Sequence, residues 1–243
     1  MTTRMRADQL LVSRGLFESR TRARAAIEAG GVTADGVTVK KAAQVIRVGA
    51  ELGAEPAHPF VSRGGMKLAA ALARFGFAPA GKICLDIGAS TGGFTEVLIK
   101  GGAKCVYAVD VGSGQLHPSL RGRSEIVLLE NTDARALDRS RVPEPPELVV
   151  ADVSFISLKL VLPKITALAA PRSALVALVK PQFEAGRKQV RKGIVRDPAV
   201  HQAVCEDLIA FVATLGWEEL GLMESPITGG EGNREFLIGA RRG

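Results

Sequence analysis

A chain of 243 residues, 47% hydrophobic and 23% charged, has ordinary globular composition and room for one medium domain plus a small appendage, which excludes a disordered protein. Its apolar runs, such as Leu208 to Leu215, are too short and mixed to span a bilayer, and the basic start MTTRMRADQLL lacks the apolar core of a secretory signal. No membrane partner and a cytoplasmic location are therefore expected. The net charge of +7 is uneven: residues 1–50 hold nine Lys/Arg against four Asp/Glu, and Arg187, Lys188, Arg191, Lys192 and Arg196 lie in a run without an acid between Gly186 and Arg196. Two basic surfaces suit a polyanion gripped by its phosphates. Cys84, Cys105 and Cys205 are isolated and lack metal-ligand spacing, so they read as reduced core residues and no metal is expected.

The first sixty residues read as a module of their own, with a boundary near residue 59. Arg6 to Arg14 predicts a helix with Leu10 and Leu11 inward, ending at Gly15. Ser19 caps a second helix, stopped by Gly30 and Gly31, on which Arg20 and Arg24 share one face. VTADGVTVKK then predicts a hairpin turning at Asp35-Gly36, followed by Lys40, Lys41 and Arg47. The stretch LVSRGLFESRTRA, Leu11 to Ala23, resembles the RNA-binding domain first recognised in small-subunit ribosomal protein four. That resemblance implies Arg4, Arg6, Arg20, Arg22, Arg24, Lys40 and Lys41 as RNA-facing residues. Residues 54–61, AEPAHPFV, read as the linker.

Residues 60–243 alternate strands with helices. A helix over Met66–Phe77 precedes strands expected at 82–85, 104–109, 126–129, 148–151 and 174–179, with helices to Ile99, over 159–170 and over 199–215. Two last strands, near 217–223 and 235–240, have no helix between them and should pair antiparallel. The fold class is α/β: a Rossmann-like methyltransferase fold, mostly parallel and seven-stranded with a terminal antiparallel hairpin, behind a small α+β RNA-binding domain.

Its centre is KICLDIGASTGGFTE, residues 82–96, a strand that turns at Asp86 and reopens as a helix at Gly92-Gly93. Neither the dinucleotide fingerprint nor the phosphate-binding loop is satisfied, since Gly88 is followed by Ala89, Ser90 and Thr91 and no Lys-Ser or Lys-Thr closes the turn. An acidic residue before a glycine turn without phosphate chemistry suits S-adenosylmethionine. Gly88, Ala89, Ser90, Thr91, Gly92, Gly93 and Phe94 would take its amino-acid end by backbone N–H groups, with Asp86 near the amino group. Asp110, 24 positions after Asp86, would accept from ribose hydroxyls, and Asp133 would meet the adenine amino group.

The acceptor is argued from absences. After the fourth strand stands Asp152-Val153-Ser154-Phe155, without the Pro-Pro-Tyr-like run of exocyclic base-nitrogen enzymes, and no cysteine sits in a loop where carbon-five chemistry would need a thiolate. What remains is Lys67, Asp152, Lys180 and Glu235. Lys180 ends the apolar strand LVALVK, where its amine could take the proton of a ribose 2′-hydroxyl, with Asp152 to position it and Lys67 and Glu235 completing a polar cage.

In order, SRGGMKL, DIGASTGGFT, VADVSFISL, LVKPQFE and GNREFL are similar to motifs of the TlyA family, ribosomal RNA 2′-O-methyltransferases with an FtsJ-like catalytic domain, some labelled haemolysins. The resemblance spans essentially the whole chain. It implies catalytic Lys67, Asp152, Lys180 and Glu235, S-adenosylmethionine as cofactor, a cytidine ribose as acceptor, and ribosomal RNA or ribosomal subunits as partner. The block Arg187, Lys188, Arg191 and Lys192 is a further RNA-binding candidate. A non-catalytic ribosome-binding factor and a membrane-lytic protein stay open; the second would need an exposed amphipathic or spanning segment, which the sequence does not show.

Overall fold

A computed structural model describes residues 3–243. The chain splits into two compact units, Met1–Pro59 and Phe60–Gly243.

The smaller unit runs β1 (Arg4–Arg6), α1 (Ala7–Ser13), α2 (Arg20–Glu28), β2 (Val32–Ala34), β3 (Val37–Thr38), β4 (Val45–Arg47) and β5 (Leu52–Ala54). Ser19, extended, caps α2 by accepting from the Arg22 N–H at 3.3 Å. Asp35 and Gly36 both have positive φ, the two-residue turn that joins β2 to β3 with the right twist. The strand after this turn stops at Thr38 rather than running to Lys40 and Lys41. Two pairings were not foreseen: β1 lies antiparallel to β4, and β5 adds to β2 on the side away from β3. Leu10, Leu11, Phe17, Ala26, Ile27 and Val32 fill a core drawn wholly from this unit.

The larger unit runs α3 (Gly64–Phe75), β6 (Ile83–Ile87), α4 (Gly93–Lys100), β7 (Cys105–Val109), β8 (Ile126–Leu129), β9 (Leu148–Ala151), α5 (Leu158–Leu168), β10 (Ser173–Val179), the short α6 (Pro181–Glu184), α7 (Pro198–Thr214), β11 (Glu218–Glu224) and β12 (Phe236–Arg242). One sheet orders them β11-β12-β10-β9-β6-β7-β8, parallel except for β12, which is antiparallel to both neighbours. Strands buried on both faces explain the near-continuous apolar runs. Ile83, Leu85 and Ile87 pack with α5 and α7, while Cys84 packs with α3 and α4. Because the chain leaves β6 first toward β7 and later returns to β9, a crevice opens at the carboxyl end of β6, where an open α/β sheet holds its ligand.

The strand β6 extends to Ile87, two residues beyond the expected end at Leu85. Asp86 is therefore a strand residue pointing into the α3–α4 layer, not the first residue of the turn. Among the described residues no helix is long and apolar enough to cross a membrane.

Candidate active site

The turn after β6 is set by backbone geometry. Gly88 has φ +85°, and a Cβ there would stand 2.2 Å from the Asp152 carbonyl oxygen, so only glycine lets the two strand ends approach. The N–H groups of Gly88 and Ala89 both donate to Val109 O, at 2.9 and 3.0 Å, tying the turn to β7. Asp110, just past β7, accepts from the Ser90 N–H at 2.8 Å and from the Gly112 N–H at 2.7 Å. One carboxylate thus fixes two loops before it meets any ligand.

Two cavities meet at this turn, sharing Gly88, Ser90 and Asp152. The larger, about 470 Å³, has apolar walls including Ile87, Val109 and Ile156, with Asp110 and Asp133 at its polar side. The smaller, about 240 Å³, is lined by Arg63, Lys67, Thr91, Phe94, Gly229 and Gly230 among others.

Not every expected cofactor residue reaches these cavities. Asp86 lines neither: it is fully buried, accepting from Thr95 Oγ1 at 2.6 Å through one oxygen while the other has no partner. Burial, reinforced by the nearby Asp152 and Asp110 charges, pushes its carboxyl up to about 7. Gly92 also turns away, since a Cβ there would run into Leu116 and Leu120; it is the left-handed residue that starts α4. Asp133 lines the larger cavity, but its carboxylate is paired with Arg135 at 2.6 Å, which holds it below the usual carboxylate range.

The four proposed catalytic side chains form two ion pairs. Lys67, on the buried face of α3, places Nζ 2.5 Å from Glu235 Oε2. Lys180 ends β10 and Asp152 follows β9, its parallel neighbour; Lys180 Nζ lies 2.5 Å from Asp152 Oδ1. This second pair is a charge contact rather than an aligned hydrogen bond, because the Lys180 ammonium directs its hydrogen bond to Ser154 Oγ at 2.8 Å and Asp152 Oδ1 has no aligned donor. Glu235 stands one step beyond the Val179–Phe236 pairing of β10 with β12, which brings it level with Lys180. Gly229 leaves room for it, since a Cβ there would meet Glu235 Oε1 at 2.0 Å. Lys67 and Asp152 line the smaller cavity.

Sequence reasoning missed Ser154 and Phe155 as site residues. Phe155 is 91% exposed at φ +63°, costly backbone for an aromatic residue, with its ring centroid 5.0 Å from that of Phe183. Both residues line the larger cavity. Their position directly after Asp152 in VADVSF was visible; the sign of φ was not.

The basic candidates divide by partner. Asp8, buried, accepts from Arg6 and Arg20, which hold its carboxyl far below the usual range, and Arg24 pairs with Glu28 at 2.7 Å. Arg4, Lys40 and Lys41 have no carboxylate partner among the described residues, nor do the exposed Arg187, Lys188, Arg191 and Lys192.

A cavity of this size, with apolar walls and a few convergent polar groups, fits a nucleoside with a polar tail. Gly88 lets the ends of β6 and β9 close together at the cavity wall, and Asp110 presents a preoriented acceptor to the cavity. Sheet order, glycine turn and strand-end acids are those of an open α/β fold with its ligand crevice at the carboxyl end of β6.

The FtsJ-like methyltransferase family model matches residues 60–242, and the S4 domain model matches residues 5–52. The chain is 44% identical over 244 residues to the 16S/23S rRNA (cytidine-2′-O)-methyltransferase TlyA of Mycobacterium tuberculosis, covering 99% of this chain and 91% of that protein. It is 41% identical over 235 residues to Hemolysin A of Brachyspira hyodysenteriae, covering 96% and 98%. A solved structure with a provisional hemolysin title, from Streptococcus thermophilus, superposes with TM-score 0.78 at 42% identity, covering 100% of this chain and 90% of the other. The chain belongs to the TlyA family of FtsJ-like methyltransferases.

Proposed function

We propose that the protein transfers the methyl group of S-adenosylmethionine to the ribose 2′-hydroxyl of a cytidine in ribosomal RNA, working in the cytoplasm on RNA or on ribosomal subunits. The observation that carries this reading is the pair of lysine–carboxylate contacts, Lys67–Glu235 and Lys180–Asp152, at a cavity that opens onto the glycine turn. The base is read from the cytidine named for the mycobacterial relative.

When bound, S-adenosylmethionine supplies an electrophilic methyl group on a sulfonium sulfur. Backbone N–H groups of Thr91, Gly93 and Phe94 would hold its amino-acid end, since those of Gly88, Ala89, Ser90 and Gly92 are taken up by Val109 O, Asp110 and Ala89 O. Asp110 would accept from its ribose hydroxyls, and Asp133 would face its adenine. Asp86 acts from beneath, through Thr95 and the start of α4, rather than by contact. Lys180 Nζ, held by Asp152 and Ser154, would have to be a neutral amine to take the proton of the acceptor 2′-hydroxyl as that oxygen takes the methyl group from the sulfonium sulfur. Lys67 and Glu235 fix the facing wall. Arg4, Arg6, Arg20, Arg22, Arg24, Lys40 and Lys41 in the smaller unit, with Arg187, Lys188, Arg191 and Lys192 in the larger, supply phosphate contacts.

The test follows labelled methyl transfer to ribosomal subunits and to protein-free ribosomal RNA, with nucleoside analysis for 2′-O-methylcytidine. Lys180→Ala should lower transfer by at least about a hundredfold while leaving cofactor affinity unchanged. Undiminished transfer by that variant would overturn its assignment. No transfer by the unaltered protein would leave a non-catalytic RNA-binding factor, and leakage from liposomes at physiological salt would favour the lytic alternative.

A further inference from the structure

The basic block of the larger unit is a built hairpin. Arg191 and Ile194 exchange two backbone hydrogen bonds at 3.0 Å, and Lys192 and Gly193 between them both have positive φ, the two-residue turn of a tight hairpin. Arg187, Lys188, Arg191, Lys192 and Arg196 are exposed around it without a carboxylate partner among the described residues. Their charge is available to phosphates with no internal carboxylate to release first, whereas Arg20 and Arg24 must each release one.

What holds this hairpin is Asn233, only 4% exposed between exposed Gly232 and Arg234. Its Nδ2 donates to Gly193 O at 2.9 Å, at the hairpin tip, and to Gly230 O at 3.2 Å. Its Oδ1 accepts from the Val195 N–H at 3.3 Å. Its own backbone closes the other side: the Asn233 N–H donates to Gly230 O, and Asn233 O accepts from the Gly229 N–H at 2.8 Å. Gly229 and Gly230 line the smaller cavity, and Gly229 lies against Glu235. One side chain therefore ties a cationic surface element to the wall of the reaction cavity. A second tether, His201 Nε2 to Val195 O at 3.0 Å, pins the hairpin from α7 but does not touch that wall.

We propose that Asn233 is a positioning residue for the RNA acceptor: it holds the basic hairpin in register with the reaction cavity, so that phosphates gripped by the hairpin place the target ribose. The proposal rests on the RNA methyltransferase reading above. An amide is needed because two carbonyls require donors and one N–H an acceptor; a carboxylate of the same shape would set oxygen against oxygen.

The experiment uses the full chain with ribosomal RNA, comparing wild type, Asn233→Ala, Asn233→Asp, the hairpin variant Arg191→Ala/Lys192→Ala, and the hairpin variant combined with each Asn233 change. Thermal unfolding and S-adenosylmethionine affinity are measured for each; the isosteric Asn233→Asp keeps the comparison usable if the alanine variant folds poorly. Both Asn233 variants should weaken RNA binding about tenfold and flatten its salt dependence, by roughly 0.7 in slope for each phosphate no longer neutralised. Cofactor affinity should stay within about twofold, since the glycine turn is untouched. Combined with either Asn233 change, the hairpin substitutions should cost little more, because the hairpin is already out of register. Unchanged RNA affinity and salt slope in both Asn233 variants, fully additive costs, or a turnover loss at unaltered RNA binding would overturn the proposal. Absence of methyl transfer in the wild-type control would instead sink the underlying reading.

Discussion

Asp86 sits within β6 with one carboxylate oxygen accepting from Thr95 and the other unpartnered, and its carboxyl is raised to about 7 from an ordinary 3.8. A raised carboxyl keeps its proton in the folded chain over a range where the unfolded chain has shed it. The stability this contributes is full below about pH 4 and is lost as pH rises through 7, at about 1.4 kcal/mol for each tenfold preference between protonation states. Denaturant midpoints of the wild type should therefore fall between pH 5 and pH 8, and Asp86→Asn, which can still accept from Thr95, should lack that part of the slope. Parallel pH profiles for the two proteins would refute the assignment. The same residue shows where sequence reasoning reached its limit. The acid before the glycines was legible as a feature of the site, but its direction depended on whether the strand ended at Leu85 or Ile87, and two residues of strand decide between a cavity wall and a buried layer. Lys67, Asp152, Lys180 and Glu235 could be picked out by their motifs as a proposed catalytic set. Their pairing could not, because Lys67 and Glu235 are 168 positions apart and only the placement of α3 beside β12 joins them.

At the scale of elements, the turn after β6 and the loop after β7 behave as one piece because Asp110 receives an N–H from each. Hydrogen bonds to a charged acceptor are the stronger kind, so Asp110→Ala should cost more than the removal of one ligand hydrogen bond. Cofactor affinity should fall about ten- to hundredfold, and amide hydrogen exchange at Ser90 and Gly112 should quicken even without ligand. Weaker binding with unaltered exchange at both amides would mean that Asp110 touches the ligand without organising the loops. Strands of the larger sheet were readable because apolar residues fill them on both faces, as in ICLDI and SALVALV. The strands β1 and β5 were not. RMR and LGA are too short and mixed to carry a period, and their pairing with β4 and β2 is set by what the rest of the small unit leaves exposed.

Across the whole molecule, each unit buries a core of its own: Ala7 through Ala50 in one, and two clusters on either face of the seven-stranded sheet in the other. The two clusters of the larger unit are made of its own residues, so residues 60–243 should fold alone and keep the glycine turn, Asp110 and both lysine–carboxylate pairs. Charge divides differently. The small unit holds nine Lys/Arg, of which Arg6, Arg20, Arg24 and Arg47 are paired with carboxylates and Arg14 donates to Val48 O, while the side chains of Arg4, Lys40 and Lys41 have neither a carboxylate nor a carbonyl partner among the described residues. A polyanion gains most from cations that have no internal carboxylate to give up, so the unpaired three should dominate this unit's contribution to RNA binding. The isolated 60–243 fragment should bind S-adenosylmethionine within about twofold of the full chain, because the two sites share no residue. Its RNA affinity should fall by at least about a hundredfold, with a salt dependence shallower by roughly 0.7 for each phosphate that the small unit had neutralised. In the full chain, replacing Arg4, Lys40 and Lys41 by alanine together should reproduce most of that weakening, whereas Arg24→Ala should not. Equal RNA affinity and equal salt slope for fragment and full chain would show that the basic hairpin beside Asn233 carries recognition alone.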